Sequence, residues 1–281
     1  MKKLEVNRRK FLKDSITGAA GIAGLATLPA NLTLASDRFV IESVKLEPEV
    51  NAKTWVAPRI KFAAIGLNHG HINSQVDAVI RGGGQLVSFF AKEPDLAAAF
   101  QKKYPQEKLA RSEKEILEDR NIQLVVSASI PDERAPLGIR VMQHGKDFMV
   151  DKPGITSLQQ LADVRRVQKE TRKIYSIMYS ERLENRATIK AGELVKAGAI
   201  GKVIQTIGLG PHRMNPKTRP EWFFDRSRFG GIICDIGSHQ FDQFLFFTGS
   251  TKADVVAAQV ANVNHSQYPK FEDFGDVMLR G

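Results

Sequence analysis

The residues best suited to chemistry fall in two places. His239 stands four positions after Asp235 in the segment Gly230-Gly231-Ile232-Ile233-Cys234-Asp235-Ile236-Gly237-Ser238-His239-Gln240-Phe241-Asp242. If that stretch is helical, both side chains share a face and the carboxylate orients the imidazole. Imidazole titrates near neutral pH, which makes His239 a candidate base for the proton of a secondary alcohol while hydride leaves the carbon. Lys152, in Asp151-Lys152-Pro153 at the end of an apolar run, offers an ammonium that can hydrogen-bond the substrate oxygen and stabilise developing alkoxide charge.

A third segment points to a phosphate-bearing cofactor. Gly66-Leu67-Asn68-His69-Gly70-His71 joins an apolar run, Ile60–Ile65, to a helical stretch reaching Arg81, and amides at such a strand-to-helix turn bind a pyrophosphate. Against G-x-G-x-x-G only Gly66 matches: Asn68 takes the second place, His71 the third, and Gly70 falls one position early. Asn tolerates the left-handed backbone that such a turn can require. His69 and His71 lie two apart with no Cys or carboxylate cluster beside them, so the expectation is cofactor lining or capping, and no metal. The next apolar run, Leu86–Phe90, ends at Ala91-Lys92-Glu93. A carboxylate there would receive the ribose hydroxyls of NAD. Lys92 suits the 2′-phosphate of NADP instead, so NADP is expected, with NAD as the alternative through Glu93.

These residues need elements to hold them. From residue 59 the pattern reads strand, helix, strand, with Gly82-Gly83-Gly84 as helix stop and turn. A helix at 94–104 follows, then a capping-box start at Ser112 with Glu115, a strand Leu124–Ser127, a helix near 133–144 and a strand Phe148–Val150. A helix over 157–172, opening on Thr156 and Gln159 at capping-box spacing, and a strand Ile174–Tyr179 complete an α/β domain with a parallel sheet over 59–180. Residues 181–281 read as an α+β domain with an open mixed or antiparallel sheet: a helix over 184–197, a strand Val203–Leu209, a loop rich in Pro and Arg, a helix near 236–247, and strands Val255–Val263 and Phe274–Leu279. The loop brings His212, Arg213, Arg219 and Trp222 toward the substrate crevice, with Arg213 and Trp222 as candidate contacts. A sheet finishing at Gly281 leaves an apolar edge. The expectation is a C-terminally truncated chain, or subunits that complete one another.

Two motifs carry a family resemblance. Asp151-Lys152-Pro153 resembles the Glu-Lys-Pro signature of the glucose-fructose oxidoreductase/inositol dehydrogenase/rhizopine-catabolism (Gfo/Idh/MocA) family, with Asp for Glu, and the 230–242 segment resembles its glycine-rich D-x-G-x-H-x-x-D stretch. The resemblance covers residues 59–281. It implies a Rossmann domain followed by a substrate domain whose open sheet often builds the oligomer interface. It further implies an NAD(P)-dependent oxidoreductase acting on a sugar or polyol, with Lys152, Asp235 and His239 catalytic, and Pro131 and Asp151 beside the cofactor. An NAD-dependent glycosidase of the same fold and a non-catalytic dinucleotide or sugar sensor are the alternatives. Relatives often carry an Asn and a His after the proline, where this chain has Asp132-Glu133-Arg134.

The first 35 residues read apart from the rest. Lys2, Lys3, Arg8, Arg9, Lys10 and Lys13 precede an uncharged stretch from Ser15 to Ala35, which is the layout of a signal peptide. Asn7-Arg8-Arg9-Lys10-Phe11-Leu12-Lys13 resembles the twin-arginine consensus, implying export of the folded protein to the periplasm, with cleavage after Ala35 or Ala30. Gly18, Gly21 and Gly24 interrupt the apolar stretch, so no stable membrane anchor is expected. Residues 36–58 read as an arm or linker. The net charge of +10 invites a nucleic-acid reading, but residues 1–35 hold six basic and two acidic residues, leaving 35 against 29. No basic run interleaved with aromatics follows, and nucleic acid is excluded as a partner. The single cysteine, Cys234, rules out an internal disulfide and reads as packing.

Overall fold

The computed structural model describes residues 58–281. The predicted signal peptide and nearly all of the arm lie outside that range. The first half lays out β1 (Ile60–Ile65), α1 (Ile72–Arg81), β2 (Gly84–Phe90), α2 (Pro94–Lys103), β3 (Lys108–Leu109), α3 (Glu113–Glu118), β4 (Leu124–Ser127), α4 (Pro131–Gln143), β5 (Asp147–Asp151), α5 (Leu158–Thr171) and β6 (Tyr175–Met178). All six strands are parallel, in the order β3-β2-β1-β4-β5-β6. The order reverses between β1 and β4, and it is outside the carboxyl ends of these strands that such a sheet opens a crevice for a ligand.

The central strands are apolar runs because helices cover both faces. Phe62, Phe89 and Val126 are fully buried with Ile72 and Phe100 on one side; Val125, Phe148 and Val141 are fully buried with Ile116 on the other. Most expected elements stand within a few residues of their predicted places, including the Gly82 stop. Three details differ. A two-residue edge strand, β3, was not foreseen. α4 begins at Pro131, whose missing N–H is harmless in a first helical turn, with Asp132 and Glu133 at its positive end. The cap of α5 is Ser157 rather than Thr156: its hydroxyl accepts from the Gln160 N–H (3.1 Å), and the Gln160 side chain accepts from the Thr156 N–H (2.9 Å).

The second half carries α6 (Ser180–Leu183), α7 (Arg186–Lys196), short 3₁₀ turns at Pro216–Thr218 and Glu221–Phe224, α8 (Arg226–Phe229), a π turn (Ile233–Gly237), α9 (Ser238–Thr248), β7 (Asp254–Ala261) and β8 (Phe274–Arg280). β7 and β8 pair antiparallel as a two-stranded sheet, and all eight residues of β7 are exposed. The predicted strand Val203–Leu209 does not form; Ile204, Ile207 and Leu209 are at least four-fifths exposed, and no ladder partner lies beside them among the described residues. The predicted helix 184–197 stands as α7, capped by Asn185, which accepts from Ala187 and Thr188; the short α6 before it was not foreseen. Among the described residues, no helix is long and apolar enough to cross a membrane.

Candidate active site

Gly66 leaves β1 with a φ of 75°, the conformation a glycine adopts freely, and a Cβ there would lie 2.5 Å from the Ser129 Cβ. It lets the chain turn hard against the end of β4. The turn does not require the left-handed backbone that Asn tolerates: Asn68 keeps a negative φ, and its amide donates to the Glu93 carboxylate (2.9 Å). Among the described residues the Asn68 and Gly70 N–H groups have no backbone acceptor, whereas those of Gly66 and His69 bond to Phe90 and Ala128. A cleft lined by Gly66, Asn68, Ala91, Lys92 and Glu133 runs past the ends of β1 and β2. Free amides, a glycine at the head of the turn and the ends of two parallel strands fit a dinucleotide. Lys92 stays mostly exposed at its rim, 3.5 Å from Glu133.

The expectation that His69 and His71 lack a carboxylate neighbour is corrected by the fold. Asp151, at the end of β5, lies 3.3 Å from the His69 Nδ1 and 3.1 Å from the His71 Nδ1. These three side chains are close enough to share a metal ion. The positive charge is already supplied by Arg134, whose guanidinium stands 3.3 Å from Asp151 Oδ2 and is 1% exposed. Burial works against the charge of Asp151, but the two imidazoles and Arg134 overcome it and hold the carboxyl far below the usual range. Burial lowers the His69 pKa.

Arg134 was missed by sequence reasoning, which saw only a departure from relatives at that place. It does more than balance Asp151. Its Nε donates to the Ser129 carbonyl (2.7 Å), and its Nη1 reaches the carbonyls of Asp151, Lys152 and Pro153 (3.1, 2.5 and 3.1 Å). The backbone around Lys152 is thus fixed from beneath by one buried guanidinium. A buried Arg in the first turn of α4 has no local signature, because most of its partners lie 17 to 19 residues away at the end of β5.

Lys152, itself buried, extends to Asp235: Nζ–Oδ1 is 3.0 Å. This corrects the expected Asp235–His239 pair. The segment is a π turn at Ile233–Gly237, widened from α-helical geometry, and Asp235 faces the β5 lysine rather than its i+4 neighbour. His239 lies on the first turn of α9 with 3% exposure; its Nε2 stands 3.9 Å from Glu181 Oε1, and its buried Nδ1 has no partner. Burial, then the neighbouring Lys152 charge, lowers its pKa. Asp242, one helical turn on, is structural: both its oxygens take hydrogen bonds from Arg182 (2.5 and 2.7 Å). Burial raises the Cys234 pKa, in keeping with a packing role.

Lys152, Asp235 and His239 open on one cavity of about 580 Å³, also lined by His71, Pro131 and Asp151. Arg213, Trp222 and His212 from the predicted loop reach it as well. Residues 60–179 match the model of an oxidoreductase family with an NAD-binding Rossmann fold, and residues 188–281 match the GFO/IDH/MocA C-terminal domain. The chain belongs to the GFO/IDH/MocA family. It superposes with a TM-score of 0.77 and 45% identity on a crystal structure from Erwinia carotovora atroseptica SCRI1043, assigned to the oxidoreductases without a named substrate, covering 79% of this chain and 67% of that one. Two Bacillus subtilis proteins are similar: scyllo-inositol 2-dehydrogenase (NAD(+)), 28% identical over 61% of this chain and 47% of the relative, and scyllo-inositol 2-dehydrogenase (NADP(+)) IolW, 26% identical over 59% and 46%. The chain spans about half the length of these curated relatives.

Within this family member the Arg134 clamp gives a direct test. Arg134→Met leaves Asp151 buried with only the two imidazoles beside it, and should cost about 3–5 kcal/mol in urea unfolding. A loss under 1 kcal/mol would show that the carboxylate is not charge-paired as described.

Proposed function

We propose that the chain oxidises a secondary hydroxyl of a sugar or polyol, with hydride passing to NAD(P). The observation that carries this reading is the 3.0 Å Lys152–Asp235 contact, which sets an ammonium from the dinucleotide-binding half and the His239 segment on one cavity. Bound at the Gly66 turn, the dinucleotide supplies the hydride acceptor. Lys152 donates to the reacting oxygen, and Asp235 keeps its ammonium fixed as charge builds there. His239 takes the hydroxyl proton. Its ring lines the same cavity, and Nε2 stands 3.9 Å from Glu181, whose carboxylate steadies the imidazolium.

His239→Asn should lower turnover by about 10²–10⁴ when myo-inositol, scyllo-inositol and D-glucose are screened with either cofactor; near-normal turnover rejects the assignment. The pH dependence follows from the sign of the shift. A lowered pKa means that the imidazole stays neutral through 6.5 and gains its proton only below it. The acid limb of kcat/KM therefore lies below pH 6.5, and a limb above 7 contradicts it.

NADP is the cofactor this reading prefers, with Lys92 beside the 2′-phosphate. Lys92→Glu should weaken NADP about tenfold or more and change NAD less than threefold; equal losses would reject it.

The Arg8-Arg9 signal assigns the protein to twin-arginine export and a periplasmic site, where a dinucleotide bound before export stays with it. Changing both arginines to lysine should leave a fused reporter in the cytoplasm; unchanged export would remove the assignment. Among the described residues the outer edges of the β7–β8 sheet have no strand beside them, which suits completion by a second subunit, and we read the protein as a homo-oligomer.

A further inference from the structure

The connection between β7 and β8 puts another imidazole into the same cavity. His265 Nδ1 lies 2.7 Å from Asp273 Oδ2, and both residues line the cavity that holds Lys152 and His239. Asp273 is itself fixed, accepting the backbone N–H groups of Val263 (2.6 Å) and Asn264 (2.9 Å). With Nδ1–H given to a carboxylate, the neutral ring keeps its lone pair on Nε2.

The loop is held too firmly for this to be a wandering surface histidine. The Asn262 amide donates to the carbonyls of His265 (3.0 Å) and Tyr268 (2.8 Å), and its oxygen accepts the His265 N–H (3.0 Å). Tyr268 stacks on Phe224 at 3.9 Å, and Phe271 packs against Phe223 at 5.5 Å. Glu272 accepts from the Ile232 N–H (3.0 Å) and from Arg226 (2.5 Å), tying the loop to the start of the π turn that carries Asp235. The imidazole is therefore set at a defined place relative to the reacting groups. Its side chain is three-quarters buried and meets the Phe271 ring edge-on at 6.1 Å. Such a wall accepts the apolar face of a sugar or polyol ring, with a few polar groups to fix its orientation.

We propose that His265, oriented by Asp273, reads the substrate: its Nε2 accepts a hydrogen bond from a second hydroxyl, away from the carbon that loses hydride. This rests on the polyol reading above. It makes a polyhydroxylated ring the substrate class and a simple secondary alcohol a poor one, because removing the second hydroxyl leaves a buried acceptor unpaired.

The experiment uses the full-length protein, His265→Phe and His265→Gln. Each is assayed with whichever of myo-inositol, scyllo-inositol and D-glucose the wild type oxidises, and with its singly deoxygenated analogues. Wild type should lose about 10–100-fold in kcat/KM on one analogue. His265→Phe should oxidise parent and analogue within threefold of one another, with cofactor affinity and thermal midpoint unchanged. His265→Gln, whose amide oxygen can accept, should recover part of the discrimination, and it replaces His265→Phe in the comparison if that variant does not fold. A purely structural histidine would slow all substrates alike. His265→Phe that still rejects the same analogue, or matches wild type on the parent, overturns the inference alone. Failure of the wild type to oxidise any of the three substrates overturns the oxidoreductase reading and this inference together.

Discussion

Everything at this site depends on holding an ammonium, buried and charged, at the end of a parallel strand. Lys152 could not sit there unaided, since taking a charge out of water costs several kcal/mol unless it is paired. Two supports meet the need. Asp235 crosses from the second half to accept from Nζ at 3.0 Å. Beneath, Arg134 grips three consecutive carbonyls from Asp151 to Pro153 and balances the Asp151 carboxylate. The site is accordingly a chain of alternating charges, Arg134, Asp151, Lys152 and Asp235, rather than a lone lysine in a cleft.

That chain explains why the cavity lies where it does. Strand order reverses between β1 and β4, and Gly66 lets β1 turn away against Ser129, so the crevice opens at the carboxyl ends. β5, beside β4, delivers Asp151 and Lys152 to the same rim. The π turn then brings Asp235 to the lysine and leaves His239 one turn further on.

The sheet half of the fold was legible because parallel strands buried on both faces appear as apolar runs, and helices between them as periodic stretches with caps. Ile60–Ile65, Leu124–Ser127 and Phe148–Val150 needed no more than that. The second half was harder to read. Val203–Leu209 has the composition of a strand but pairs with no strand among the described residues, and composition alone does not supply a neighbour. At the site, Lys152, Asp235 and His239 were found through their motifs, but their pairing was not, since a π turn leaves no mark in residue spacing. Arg134 and the His265–Asp273 pair were missed for a related reason. Each joins residues that only the fold brings together, and in a sequence they are an arginine in a helix and a histidine in a loop.

The central claim is that a secondary C–H bond of the substrate is broken with its hydrogen passing directly to nicotinamide, beside Lys152 and His239. The polyol proposed as substrate, deuterated at the carbinol carbon, tests it most directly by mass and NMR analysis of the recovered cofactor. The account predicts deuterium on the nicotinamide ring after turnover by the wild type, and almost none after the same time with His239→Asn. Reduced cofactor lacking the label, or product formed with no reduction of the cofactor even in a single turnover, would contradict it.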